Sequence, residues 1–315
     1  MADFLVREPI GCGRLLRMYH TGDRGQRFPG LAQPVSPVAG AEGRRLVRKA
    51  VVLARGLGRR MREPNAAVRL DEAQAAVAES GLKAMMPVKR PFSDYLLSAL
   101  ADGGYEHACL IIGPEHTAVR NFYSVQAPPR RIRVHFAVQL EPRGTADAVL
   151  AAEDFVAGED FLTINSDNYY PVSALRALRL LGEAGTALFE ASVLISEGNI
   201  PPEGILKFAV CEVDADGYLV KILEKPPEAR KVSAKEDALI SVNCWRFPPA
   251  IFEACRRIPL SQRGEYELPS AVEKAMKDLG VRFRVVRCNE GVLDLSSRKD
   301  VANVAQKLSS TVADP

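Results

Sequence analysis

Ala50-Val51-Val52-Leu53-Ala54-Arg55-Gly56-Leu57-Gly58-Arg59-Arg60-Met61-Arg62 is the stretch on which the reading of the fold turns. A short apolar run ends in a glycine-rich turn and then in clustered arginines. A parallel sheet opens a phosphate-binding loop in this way. Gly56 and Gly58 let the backbone approach a ligand where a Cβ would collide. The N–H groups of such a loop point at anions, and Arg60 can add bidentate contacts to phosphate oxygens. The stretch has neither the third glycine of the dinucleotide fingerprint nor the Gly-Lys-Ser/Thr of a P-loop. An ordinary strand-to-helix turn is therefore the competing account.

The sequence on either side follows an α/β rhythm. Strand-like runs at 49–54, 108–112, 133–137 and 161–165 alternate with helical patterns near 93–102, 117–124 and 145–154. Such alternation implies βαβ units and a mostly parallel sheet. The alanine-rich stretch 65–80 reads as a helix inserted after the glycine loop, as a surface excursion. Beyond Asp167 the alternation loosens. Strands are expected at 205–213 and 218–224, around the turn Asp214-Ala215-Asp216-Gly217, and at 238–247, 282–287 and 291–295. Helices are expected after Pro248-Pro249 and near 268–279 and 297–309. Residues 1–47 hold many Gly, Pro and Arg residues and no sustained period. They read as a poorly ordered extension before a domain over 48–310, with a flexible regulatory arm as the functional alternative.

Composition narrows the function classes. Of 315 residues, 47% are hydrophobic, and net charge is +3. The charge is uneven: residues 1–69 hold 14 Lys or Arg against 5 Asp or Glu, a balance of +9 that leaves −6 for the remainder. A basic first segment suits a triphosphate or a nucleic acid. No basic stretch interleaved with aromatics and no zinc-finger spacing supports nucleic acid. The six cysteines form no CxxC pair, so neither zinc nor a redox motif is indicated. Cys109 and Cys211 read as small core residues, and reduced thiols fit a cytoplasmic protein. No signal-peptide pattern or apolar stretch near 20 residues is found, so no membrane span is expected.

Further pieces follow the loop in order: Gly81-Leu82-Lys83-Ala84-Met85-Met86-Pro87-Val88 with Arg90-Pro91-Phe92, then Gln139 through Val149, then Phe161-Leu162-Thr163-Ile164-Asn165-Ser166-Asp167-Asn168. Glu224-Lys225-Pro226, Gly264-Glu265-Tyr266-Glu267-Leu268 and Val292-Leu293-Asp294-Leu295 complete the set. In this order, over roughly residues 48 to 310, the chain resembles the sugar-phosphate nucleotidyltransferases, and within them glucose-1-phosphate thymidylyl- and uridylyltransferases. The resemblance implies a three-layer α/β/α Rossmann-like nucleotidyltransferase fold with a mostly parallel mixed sheet. It implies transfer of a nucleotidyl group from a nucleoside triphosphate to a sugar 1-phosphate, with release of pyrophosphate and dependence on Mg²⁺. It implies neither nucleic acid nor membrane as partner and leaves a homo-oligomer open.

Residue roles follow from the same resemblance. Leu53, Ala54, Gly56, Gly58, Gln139, Gly144 and Thr145 are expected at the nucleotide. Arg60, Lys83 and Lys225 are expected at the phosphates, and Glu224, Lys225 and Asn243 at the sugar phosphate. Asp167 and Asp294 are expected to hold Mg²⁺. The residues themselves suit these roles: Asp167 ends an apolar strand, where open α/β sheets bind ligands, and Asp294 is an acid among apolar neighbours, costly unless paired or ligating a cation. Plainer accounts are a turn-starting Asp167, a solvated Lys83, a strand-end ion pair at Glu224-Lys225, and a helix start at Gly144-Thr145. Ser296 or Ser297 likewise suits an N-cap for the last helix. Gln139 hints at UTP or dTTP.

Several positions depart from the family pattern. Arg59 stands for the usual Thr or Ser, Arg55 for a small residue, and Ser166 for the glycine before Asp167. Cys244-Trp245 stands for small residues, so that Trp245 is expected to narrow the sugar pocket or stack on a sugar. The 19 residues from Glu63 through Gly81 exceed the usual connection. A non-sugar phosphorylated acceptor, a binding module without turnover and a dinucleotide-dependent oxidoreductase are the competing functions.

Overall fold

The apolar run after Arg48 forms strand β1 (Lys49–Leu53) at the centre of a sheet in the computed structural model, which describes residues 46–223 and 237–315. The flanking runs become β2 (His107–Ile112), β3 (Arg133–Val138) and β4 (Phe161–Asn165). The remaining strands are β5 (Asn168–Tyr169), β6 (Gly185–Glu190), β7 (Ala209–Val213), β8 (Leu219–Leu223), β9 (Leu239–Phe247), β10 (Arg284–Cys288) and β11 (Leu293–Asp294).

The main sheet runs β10-β6-β9-β4-β1-β2-β3, with the β7–β8 hairpin attached at β9. β1 is parallel to both β2 and β4, and β2 is parallel to β3. β9 runs antiparallel to β4 and β6, so the sheet is mixed. Its faces are filled by alternate residues of β1. Ala50 and Val52 pack on one side with Leu96, Leu100 and Leu175. Val51 and Leu53 pack on the other with Val149, Phe252 and Val272. Helix–sheet–helix layering follows from this two-sided burial, which also explains why the β1 run is apolar throughout.

The chain moves outward from β1 to β2 and β3, then crosses to β4 on the other side. The switch point of the sheet therefore lies between β1 and β4, and ligands bind beyond the carboxyl ends of strands at such points. Register brings those ends level: Leu53 pairs with Ile111 on one side and Asn165 on the other.

A third apolar cluster joins Met61, Ala78, Met86, Phe92 and Tyr95 to Leu293, Leu295 and Val304. It ties the segment after the glycine loop to the last helix, Asp300–Lys307. The inserted helix spans Glu72–Ser80, begins with an Asp71–Gln74 capping box and buries only Ala78. Other elements differ from expectation in detail. Pro201-Pro202 start a short helix, Pro202–Ile205, so β7 begins later than the apolar run suggests. The segment beyond Asp167 contains a full helix, Val172–Leu180, and the buried strand β6. Residues 1–45, which hold nearly all of the expected extension, lie outside the described residues, as do Glu224, Lys225 and Pro226.

Candidate active site

The ends of β1 and β4, with Gln139 just beyond β3, open onto a cleft of about 510 Å³. Leu53, Ala54, Gly56, Gly58, Arg60, Lys83, Gln139, Gly144, Thr145, Asp167 and Asn243 all line it. These residues come from sequence positions spread over most of the domain, and the level strand ends bring them together. Asp294 is not a lining residue but adjoins the cleft through the β5–β11 pair, where it lies opposite Asn168.

The glycine loop has two kinds of glycine. Gly58 has φ 60°, and a Cβ there would collide with the carbonyl oxygen of Gly81. A Cβ on Gly81 (φ 74°) would lie 2.8 Å from the Leu57 carbonyl oxygen. The two segments thus pack backbone against backbone. Gly56 has no atom within 4 Å of an added Cβ, so packing does not require glycine there. Gly56 lines the cleft, where a residue without a side chain permits close approach of a ligand.

At one end of the cleft lie the charges. The Lys83 Nζ donates to Asp167 Oδ2 at 2.7 Å. The Asp167 main chain is anchored because its carbonyl accepts from Leu295 N–H at 2.8 Å. Asp294 is held on both sides. Asn168 Nδ2 and Ser296 Oγ donate to its Oδ1 at 3.1 and 2.8 Å, and the Asn199 side chain brackets its backbone N–H and C=O. Burial and the nearby Asp167 carboxylate push the Asp294 carboxyl up to about 6. Arg60 donates to Ser296 Oγ at 3.1 Å, which links the glycine loop to this cluster. Ser296 and Ser297 do not cap the last helix; their N–H groups donate to the Asp300 carboxylate instead.

Two neighbouring carboxylates, one of them half-buried and held by neutral donors, fit a divalent cation. No group of three or more His, Cys, Asp or Glu suited to a metal occurs among the described residues. A Mg²⁺ that completes its shell with phosphate oxygens and water requires only one or two carboxylates.

At the other end the bonds are of a different kind. Gln139 is 4% exposed. Its Nε2 donates to the Gly144 carbonyl at 3.0 Å and to Asp147 Oδ2 at 2.7 Å. The Gln139 main-chain carbonyl accepts from Arg55 Nε at 3.2 Å, and Arg55 pairs with Glu115 at 2.7 Å. The arginine that replaces a small residue is therefore tied into the wall. Thr145 Oγ1 accepts from Leu268 N–H at 2.9 Å, so this hydroxyl fastens the helix Thr145–Leu150 to its neighbour. Gly144 has φ 115°, and a Cβ there would collide with the Tyr266 carbonyl oxygen.

Trp245 does not reach the cleft, contrary to expectation. It is fully buried in mid-sheet, opposite Thr163 of β4, and stacks on Phe247 with Phe283 edge-on. Its Nε1 donates to Asn243 Oδ1 at 3.4 Å, so it touches the cleft only through Asn243. Asn243 has φ 53°, a conformation that Asn tolerates better than most residues. Sequence reasoning missed Asp147, Asn165 and Asn199. An acidic residue in the first turn of the helix that opens at Gly144 was the available signal for Asp147.

A family model described as nucleotidyl transferase matches residues 77–310. The UTP–glucose-1-phosphate uridylyltransferase AglF of Haloferax volcanii is 26% identical over 261 residues, covering 82% of this chain and 96% of that protein. A glucose-1-phosphate thymidylyltransferase of Streptomyces antibioticus is 29% identical over 226 residues, covering 71% of this chain and 56% of that protein. A UDP-glucose pyrophosphorylase solved in complex with UDP-glucose superposes with a TM-score of 0.66 at 16% identity, over 85% of this chain and all of the other, a likeness of fold. A family match over most of the length, on a fold that gathers the matched motifs at one cleft, means that the chain belongs to the nucleotidyl transferase family.

Proposed function

We propose that this protein transfers a nucleotidyl group from UTP or dTTP to a sugar 1-phosphate, yielding a nucleotide sugar and pyrophosphate. The meeting of the glycine loop, Lys83 and Asp167 at the sheet's switch point is the observation that carries this reading. The uridylyl- and thymidylyltransferase names of its relatives support both the acceptor class and the base.

In the reaction a sugar-phosphate oxygen attacks the α-phosphorus in line, and pyrophosphate leaves. Catalysis of this kind is positioning plus electrostatic stabilisation. The backbone at Gly56 and Gly58 receives the triphosphate, with Arg60 beside it. Lys83 exchanges its bond to Asp167 for one to a phosphate oxygen, which balances charge developing there. Gln139 and Gly144 face the base, with Leu53, Ala54 and Thr145 beside them. Asn243 faces the sugar phosphate; for Glu224 and Lys225 a sugar-phosphate role is supported by the resemblance alone. Asp167 and Asp294 are the residues that would hold Mg²⁺, which when bound neutralises phosphoryl oxygens. A cytoplasmic setting suits the five described cysteines, all buried and unpaired. No helix among the described residues is long and apolar enough to cross a membrane.

The test is pyrophosphate release with Mg²⁺ across a panel of triphosphates and sugar 1-phosphates. Release that requires both UTP or dTTP and one sugar 1-phosphate is expected. Release that is independent of every sugar 1-phosphate, or none with any pair, would refute the reading.

A further inference from the structure

Gln139 offers the cleft one end of an amide, and the two ends recognise opposite partners. We propose that Asp147 is a positioning residue that locks this amide with its carbonyl oxygen toward the base, so that the cleft selects a base edge carrying N–H over one carrying a lone pair. The inference rests on the reading of Gln139 as the base-facing residue.

The lock follows from valence. A primary amide has two N–H bonds. In Gln139 one is given to the Gly144 carbonyl at 3.0 Å and the other to the Asp147 carboxylate at 2.7 Å. Both partners are pure acceptors, so the nitrogen must face them, and chemistry alone fixes which end is which. Among the described residues Oε1 then has no hydrogen-bond partner, while Gln139 lines the cleft. Reversing the amide would set its oxygen against a carboxylate and a carbonyl; the Gly144 carbonyl would keep the Ala148 N–H at 3.1 Å, but Asp147 Oδ2 would lose its donor to a second acceptor, a costly arrangement in a buried site. Asp147 is itself steadied by the Arg143 guanidinium, 3.9 Å from its other oxygen.

An acceptor aimed at the base has a definite consequence. Uracil and thymine present N–H at ring position 3, whereas cytosine presents a lone pair there. Facing cytosine, Oε1 would meet a second acceptor, and both would go unpaired. The wild-type cleft should therefore bind UTP over CTP by roughly ten- to a hundredfold. The direct readout is calorimetric titration of the full chain with each triphosphate and Mg²⁺, which needs no turnover.

Asp147→Asn is the decisive variant. Its amide can turn to donate to Gln139, which removes the charged one of the two acceptors that oppose reversal. The UTP-to-CTP affinity ratio should fall by about tenfold, mostly through a gain for CTP. Asp147→Ser, whose hydroxyl also donates, should lower the ratio too and serves if the first variant does not fold. Gln139→Ala should lose the ratio, and adding Asp147→Asn to it should change nothing more. A purely structural Asp147 would weaken both ligands and leave the ratio intact, and that result overturns the proposal. So does a wild-type ratio near one, or a ratio that survives Gln139→Ala. Failure of the transferase reading is distinguishable: the ratios would behave as expected while no sugar 1-phosphate releases pyrophosphate.

Discussion

The two ends of the cleft hold their polar groups in opposite ways. At the base end the bonds of Gln139 to Gly144 and Asp147, and of Arg55 to Glu115, can all persist when a ligand arrives. At the other end, the proposed phosphate end, Lys83 and Asp167 are bound to each other while neutral donors hold Asp294, and on the proposed reading the Lys83–Asp167 bond is exchanged when a triphosphate arrives. The first arrangement presents a fixed face and suits discrimination. The second is a set of charges awaiting a larger charge and suits catalysis. Substitutions at the base end should therefore change the choice among triphosphates, and those at the phosphate end should change turnover with all of them.

The sharpest break in that comparison comes from the carboxylates. Asp167→Asn or Asp294→Asn should lower turnover by roughly 10²–10³-fold with every triphosphate, measured as pyrophosphate release. Asp294→Asn should also stabilise the metal-free fold at neutral pH. Burial raises this carboxyl above its ordinary value to about 6, so the native state favours the proton. Its ionisation then costs stability as pH rises from the unfolded value through about 6. Thermal unfolding in chelator should show the variant above wild type at pH 8, with the gap closing near pH 4. Equal melting temperatures at pH 8 would mean that the carboxylate is better compensated than its neighbours imply.

Lys83→Ala should come next, with turnover about ten- to a hundredfold lower, the scale of one hydrogen bond to a charged group. Base preference should not move. A changed UTP-to-CTP ratio in this variant would dissolve the distinction between the ends.

The glycines separate fold from ligand on a smaller scale. Gly58→Ala should cost about 1–3 kcal/mol of stability, because its φ is 60° and its Cβ meets Gly81. Gly56→Ala should leave the melting temperature unchanged, since no protein atom lies within 4 Å of the added Cβ, but raise the KM for UTP if the loop receives the triphosphate as proposed. The smallest effect is expected from deleting residues 1–40. Turnover and melting temperature of the truncated chain should stay close to those of the full one, and an insoluble product would show that the extension has a structural task.

The parts of the fold most legible in the sequence were those buried on both faces. β1, β2 and β4 read as largely apolar runs, Thr163 being the one polar residue inside them, because helices cover both sides of the sheet. β5 and β11 have two residues each, too few for any period, although their pairing is what puts Asp294 beside Asn168. Asp167 was legible because a strand end announces it. The bond between Gln139 and Asp147 was not, because spacing in a loop that leads into a helix does not say which side chains meet. Trp245 was misjudged for a related reason. Its place after Asn243 suggested a pocket, but its register opposite Thr163 puts it short of the strand ends, in the core.

The backbone contact between Gly58 and Gly81 bears on how this enzyme can be rebuilt. Neither partner has room for a side chain, so the nucleotide loop and the last residue of the inserted segment form a single joint. An engineer who exchanges the insertion for a shorter loop can cut within 64–79, but must leave Gly81 and its approach in place. A graft whose seam runs through residue 81 would deform the loop from behind, however well the new segment folded by itself.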